Sequence, residues 1–328
     1  MNWRPSASLE ALERRAAMLA QARKFFAQRA VLEVETPILS AAAVSDPHLQ
    51  SLATRIAGIP HEFYLQTSPE YSMKRLLAAG SGDIYQICKV FRDGERGRWH
   101  NPEFTMIEWY RLGFDDAALM AEVEALVGEL LEPRRLERAE RLSYAAALAR
   151  HAGVDVHRSS DAELSAAVRQ HGIDCDARLD RDDTLDLAMA LIVGPKLGVD
   201  RPCFICDYPA SQAALARLKP GLPSVAARFE LYLDGVELAN GFHELQDAAE
   251  QRRRFDRDLS VRAQRGLPRV PVDENLLAAM QSGLPECAGV ALGFDRLVAL
   301  ALGADARGGA APGAAALAQA MAFSIDQA

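Results

Sequence analysis

Residues Phe91 to Arg111 read FRDGERGRWHNPEFTMIEWYR. The stretch opens at the end of an apolar run, Ile84-Tyr85-Gln86-Ile87-Cys88-Lys89-Val90. It crosses a short loop rich in charge and glycine, then returns through His100-Asn101-Pro102-Glu103-Phe104 into a second apolar run. Two strand-like runs joined by a charged, glycine-containing turn predict a β-hairpin. The loop carries Arg92, Arg96, Arg98 and His100, and the planar donor fork of arginine matches a phosphate better than any other side chain does. With Phe104 close behind, such a loop could hold a nucleotide. An exposed charged hairpin has the same local composition, so the loop alone leaves both readings open.

Outward from the hairpin, the pattern alternates helices in blocks with hairpin-type strands. Leu9, Leu12, Ala16, Leu19 and Phe26 recur at helical spacing over residues 8–30, with Ser6 or Ser8 as N-cap. A strand with a proline is expected at 33–39, a strand at 64–67 and a helix at 70–79 that stops at Gly80. Residues 115–200 read as mainly helical, around 117–131, 143–152, 161–171 and 183–193. Strands return at 203–207, 226–233 and 236–238, followed by a charged helix at 242–265 and a short one at 276–281. A strand at 289–294 leads into a helix at 295–302, and 304–313 reads as a glycine- and alanine-rich loop. The order predicts an α+β fold with an antiparallel sheet, as one domain carrying a helical insertion at about 115–200.

Composition sets bounds. The chain has 328 residues, 49% hydrophobic and 25% charged, ample for a large core. Its net charge of −8 does not favour tight non-specific nucleic-acid binding. The N-terminus has no apolar signal core and the longest apolar run, around Leu297–Leu302, is too short to span a bilayer, so a cytoplasmic location without membrane contact is expected. The five cysteines do not suggest a disulfide framework. Cys203-x-x-Cys206 is half of a zinc spacing with no second pair close behind, in a run where buried thiols are common.

A second acidic segment is RFELYLDGVELANGFHEL, residues 228–245. Glu230, Glu237 and Glu244 recur every seven residues. Asp234-Gly235 between two apolar runs predicts a hairpin turn, and carboxylates flanking such a turn can face one site that suits Mg²⁺ with a phosphate. A solvated acidic face fits the same spacing.

The hairpin block resembles the second signature motif of class II aminoacyl-tRNA synthetases in its lysyl-tRNA synthetase form: Phe-Arg-Asn-Glu, a variable loop, then His-Asn-Pro-Glu-Phe-Thr. His100 to Thr105 stand at the family's distance from Arg92. The acidic segment is similar to the family's Glu, then Glu-x-x-Asn-Gly-Phe-x-Glu-Leu. Gly289-Val290-Ala291-Leu292-Gly293-Phe294-Asp295-Arg296 resembles the third motif, and Lys24 to Pro37 looks like the first, which forms the dimer interface in this class. The resemblance implies a central antiparallel sheet flanked by helices. It also implies an AMP-forming enzyme in which ATP and a lysine-type amino acid react to an adenylate.

The roles it implies are these. Arg92 and Arg296 act on the phosphates as catalytic residues. ATP is bound by them together with Asp93, Gly94, Glu95, His100, Asn101, Phe104, Glu237, Leu238 and Gly293, with Phe104 stacked on adenine. Ser68, Pro69, Glu70, Glu108, Tyr110, Asn240, Glu244 and Ala291 take the amino acid, and Glu230 and Glu237 take Mg²⁺. A buried carboxylate needs a cationic partner, which a diamino acid supplies.

The chain also departs from lysyl-tRNA synthetase. Motif 1 begins within the first thirty residues, leaving no room for an anticodon-binding domain. Truncated paralogues of this kind activate (R)-β-lysine and attach it to a lysine of elongation factor P, which implies that factor as partner, a homodimer, and no tRNA. Glu108-Trp109-Tyr110-Arg111, the segment 239–244 and the ending 322–326 look like those paralogues. Ala291 stands where the synthetase has glycine, Gly94 where it has the motif 2 glutamate, with Glu95 adjacent, and Trp99 where it has arginine. Residues 305–317 read as a longer surface loop. A truncated synthetase-like enzyme that activates α-lysine for another acceptor, and a non-catalytic module with a decayed site, are the competing readings. Retention of Arg92, Glu230, Glu237, Glu244 and Arg296 together argues against decay.

Overall fold

The computed structural model describes residues 3–176, 179–199, 201–304 and 316–328. The chain divides into two compact units: residues 115–244, and the remainder built from 3–114, 245–303 and the C-terminal segment.

The remainder opens with α1 (Leu9–Gln28), whose first turn is closed by the Ser8 hydroxyl accepting from the Ala11 N–H at 3.1 Å. Its buried face, Met18, Ala22, Phe25 and Phe26, follows helical spacing. Phe26 stacks on Tyr85 at 4.2 Å and meets Trp109 edge-on at 5.4 Å. The strand expected over 33–39 is interrupted. Only β1 (Leu32–Glu33) and β2 (Leu39–Ser40) form, because Pro37 has no N–H to give a sheet and restricts the residue before it. With β3 (Ala53–Arg55) and β4 (Glu62–Leu65), β2 makes a small sheet of order β2-β4-β3. Next come α2 (Glu70–Ala78) and the predicted hairpin, β5 (Ile84–Phe91) and β6 (Glu103–Leu112), in antiparallel register from Ile84↔Tyr110 to Phe91↔Glu103.

The second unit begins with α3 (Asp116–Leu130), capped by Asp115. It continues with β7 (Glu140–Ser143), α4 (Tyr144–Ala152), α5 (Asp161–Gln170) and α6 (Arg181–Ala188). The last two open on capping boxes, Ser160 with Glu163 and Asp180 with Asp183. The helix expected over 183–193 finishes as a wide π turn, Met189–Val193. These helices bury Tyr144, Leu148, Leu164, Val168 and Ile192 with Cys203 and Ile205 of β8 (Cys203–Pro209). Then follow β9 (Leu218–Lys219), β10 (Val225–Leu233) and β11 (Val236–His243). Asp234 and Gly235, both at positive φ (52° and 77°), make the predicted turn between β10 and β11. Strand order in this unit is β11-β10-β8-β7, with β9 beside β10.

The chain returns to the first unit through α7 (Ala248–Gln264). The helix expected from 242 starts six residues later. Phe242 is still paired with Arg228, and Asp247 closes the helix start by accepting from the Ala249 and Glu250 N–H groups. After α8 (Glu274–Gly283), β12 (Cys287–Gly293) pairs antiparallel with β6, giving the order β1-β5-β6-β12, and leads into α9 (Phe294–Ala301). The expected loop lies outside the described residues from 305 to 315, and its end is helical: α10 (Ala316–Ala320). Each unit thus holds sheet strands flanked by helices, antiparallel except for the outer pairs β1–β5 and β7–β8. No described helix is long and apolar enough to cross a membrane.

Candidate active site

Residues directly opposite in an antiparallel pair share a face. On β6, alternation puts Phe104, Met106, Glu108 and Tyr110 on one face and Ile107 and Trp109 on the other. Gln86 and Ala291 stand on either side of Glu108, and Gly289 and Gly293 lie opposite Tyr110 and Met106. The small residues of β12 therefore fall on the face that carries Glu108.

Glu108 is 2% exposed. Ser68 Oγ and the Tyr110 hydroxyl each donate to its carboxylate at 2.7 Å, and the Glu70 N–H donates to Ser68 Oγ at 3.0 Å. Burial, then the nearby charge of Glu70, pushes the Glu108 pKa up to about 7. Glu70 is itself held by the ammonium of Lys74, one helical turn on at 2.6 Å and buried to 1% exposure. Gln86 Oε1 is buried with no hydrogen-bond partner among the described residues. The cluster thus offers two carboxylates and an open amide oxygen, the set of acceptors an alkylammonium group needs.

The hairpin loop holds the second cluster. Arg92 lies 5.1 Å from the centre of the Phe104 ring and its guanidinium is 3.5 Å from Glu95 Oε1. Arg296 reaches the same loop: Nε donates to the Trp99 carbonyl at 3.1 Å and Nη2 to His100 Nε2 at 2.9 Å. A guanidinium has no acceptor, so His100 Nε2 must be the acceptor and the ring neutral. Lost hydration, then the Arg296 charge, lowers the His100 pKa in agreement with that. The preceding Asp295 is buried and fully engaged, by Arg15 Nη1 at 2.5 Å and by the Thr105 N–H at 2.8 Å. It ties the start of α9 to β6 and leaves Arg296 turned to the loop. Gly94 has φ +78° with open space around it. The Asn101 side chain is bonded within the protein. Its Nδ2 donates to the Glu103 carbonyl at 2.6 Å and its Oδ1 accepts from the Ile325 N–H at 3.1 Å.

In the second unit, Glu230 is opposite Asn240, and Glu237 is opposite Tyr232 beyond a bulge, so the two carboxylates and the amide share a face. The Glu230 carboxylate takes an ion pair from Arg228 at 2.6 Å and the Tyr232 hydroxyl at 2.8 Å. Asn240 Oδ1 is buried with no hydrogen-bond partner among the described residues, and Glu244 is 1% exposed. Gly241 is obligatory, since a Cβ there would sit 2.4 Å from the Phe229 ring. Leu238 is buried core. Cys203 and Cys206 pair with Tyr232 and Phe229, on opposite faces of β10, so they cannot share one ion, and burial raises both thiols, to about 12 and about 11. Among the described residues no three acidic, histidine or cysteine side chains form a self-sufficient metal cage.

The family model described as tRNA synthetases class II (D, K and N) matches residues 1–306. The chain belongs to the class II tRNA synthetase family. Within it, the chain is 49% identical to a protein named elongation factor P–(R)-β-lysine ligase from Klebsiella pneumoniae subsp. pneumoniae, covering 99% of this chain and 98% of the relative. It is 49% identical, with the same coverage, to a protein of that name from Salmonella dublin. The synthetase-type β5–β6 hairpin and the β12–α9 junction are the elements that carry the first-unit clusters. Sequence reasoning missed Lys74, Gln86, Arg15 and Arg228. The pairing of Lys74 with Glu70 at i, i+4 was a readable signal; the others come together only through strand register or tertiary packing.

Proposed function

We propose that the protein is an ATP-dependent ligase that activates (R)-β-lysine as an adenylate and transfers it to a lysine of elongation factor P. The observation that carries this reading is the 49% identity to ligases of that name over 99% of the chain. The carboxylate of the amino acid attacks the α-phosphorus of ATP and pyrophosphate leaves. The amine of the acceptor lysine then attacks the acyl carbon and AMP leaves.

Catalysis is positioning and charge neutralisation. Arg92 and Arg296 take the phosphates, and Phe104 stacks on the adenine. Gly94 has no side chain to reach the base, so the neighbouring Glu95 supplies the carboxylate there. Glu70 and Glu108 take ammonium groups of the substrate, with Asn240 and Glu244. Glu230 and Glu237 would hold Mg²⁺. Two carboxylates on paired strands fit an ion that draws its other ligands from water and phosphate, and each Glu230 oxygen, with one bond made to Arg228 or Tyr232, keeps a lone pair beyond it. When bound, the ion supplies neutralisation of phosphate charge.

The same reading makes the protein a dimer through the motif 1 segment, where Leu32 is exposed, as are Ile38 and Leu39 just after it, and sets it to work in the cytoplasm, where ATP and the acceptor are. Pyrophosphate release dependent on (R)-β-lysine tests the first half-reaction. Release with α-lysine in preference, and charging of tRNA, would contradict the proposal.

A further inference from the structure

The C-terminal segment is bound to the hairpin loop. The Ile325 N–H donates to Asn101 Oδ1 at 3.1 Å, the Leu317 N–H donates to the Arg98 carbonyl at 3.4 Å, and Asp326 pairs with Arg96. On its other side the segment is anchored to the N-terminal part of the chain. The Ser6 N–H donates to the Ala322 carbonyl at 2.8 Å, the Ser324 N–H to Ser6 Oγ at 3.2 Å, and Arg15 Nη1 to the Ala320 carbonyl at 3.1 Å. That same Arg15 holds Asp295, the neighbour of Arg296.

Asn101 is the joint. It is 6% exposed, and its amide is spent inside the protein, on Ile325 and on the first residue of β6. The Arg96–Asp326 pair is exposed on both sides and stabilises little. A backbone donor to a buried amide oxygen is the stronger tie, because breaking it leaves that oxygen unsatisfied.

We propose that residues 316–327 are a positioning strap for the ATP loop, and that Asn101 is the positioning residue through which the strap acts. A hairpin tip that is already bonded loses less conformational freedom when it closes on a nucleotide. The inference rests on the reading of 92–104 as the ATP loop.

Ile325→Pro deletes the N–H that reaches Asn101. The Gln327 N–H closes a turn on the Ser324 carbonyl at 2.9 Å, which makes Ile325 the second residue of that turn, where proline is favoured. Ile325→Ala keeps the N–H and serves as control. Deletion of 324–328 removes the same N–H by a second route. Two readouts are taken: the rate of tryptic cleavage after Arg96 and Arg98, and the KM values for ATP and amino acid in pyrophosphate exchange. Ile325→Pro and the deletion are expected to be cut about three- to tenfold faster, the population change one net hydrogen bond supports. KM for ATP is expected to rise by a similar factor, KM for the amino acid to stay unchanged, and Ile325→Ala to match wild type. Wild-type cleavage rates in Ile325→Pro, or an equal rise in both KM values, would overturn the strap. Cleavage needs no catalysis, so a wild-type protein that exchanges no pyrophosphate contradicts the ligase reading while the strap is still decided.

Discussion

Ala291 lies directly across the paired strands from Glu108, with its methyl group on the same face as the carboxylate. Gly289 and Gly293, two residues away on either side, leave that face clear. The one methyl group in the row therefore stands where an ammonium held by Glu108 would approach.

Ala291→Gly is expected to relax discrimination between lysine isomers. A single methyl in a pocket is worth about 1–3 kcal/mol. The ratio of kcat/KM for α-lysine to that for (R)-β-lysine should rise about tenfold, measured by pyrophosphate exchange. An unchanged ratio would show that Ala291 does not line the amino acid site.

If Glu108 holds the substrate ammonium as proposed, stability and substrate binding are expected to respond to pH in opposite directions. Its folded pKa, about 7, lies above the ordinary 4.5. Its contribution to stability is therefore complete below about 4.5 and lost as pH rises through about 7. The ionised form is the one that attracts an ammonium, so KM for the amino acid should fall as pH rises from 6 to 8, about the Glu108 pKa. Glu108→Gln should raise that KM, remove its pH dependence and flatten the thermal midpoint between pH 5 and 8. Thermal melts and initial rates across this range check both signs.

Lys74→Met is expected to destabilise the fold by about 3 kcal/mol, because it leaves the Glu70 carboxylate without its cation. Adding Glu70→Gln should restore much of the loss, since the uncompensated charge is gone. Denaturant unfolding of the two single variants and the double variant gives the coupling directly; strict additivity would contradict the pairing.

Arg296→Lys keeps the charge but loses the fork that spans the Trp99 carbonyl and His100. A lysine is a point charge on a flexible stem. The variant should keep its thermal midpoint and lose about a hundredfold in kcat/KM for ATP. A variant as active as wild type would remove Arg296 from the phosphate site.

Much of this was legible in the sequence, for reasons that can be named. The β5–β6 hairpin is set by local turn chemistry and apolar alternation, and that alternation alone puts Glu108 and Tyr110 on one face. The turn at Asp234-Gly235 is equally local. Elsewhere, longer-range pairing decided. Phe242 continues β11 because it pairs with Arg228, although the charged run behind it has helical character. Pro37 divides a strand that composition favoured. Arg15 meets Asp295 across 280 positions of sequence, and no spacing rule connects them. Asn101 sits in the motif 2 segment, yet its partner Ile325 can be seen only once the chain has folded back on itself.

The central claim is tested most directly by the intact mass of purified elongation factor P after incubation with the protein, ATP, Mg²⁺ and (R)-β-lysine, with α-lysine in parallel. A gain of one lysyl unit, in higher yield with the β isomer, is the predicted result. An unmodified factor in both reactions, with pyrophosphate still released, would contradict the proposed acceptor and turn the search to tRNA.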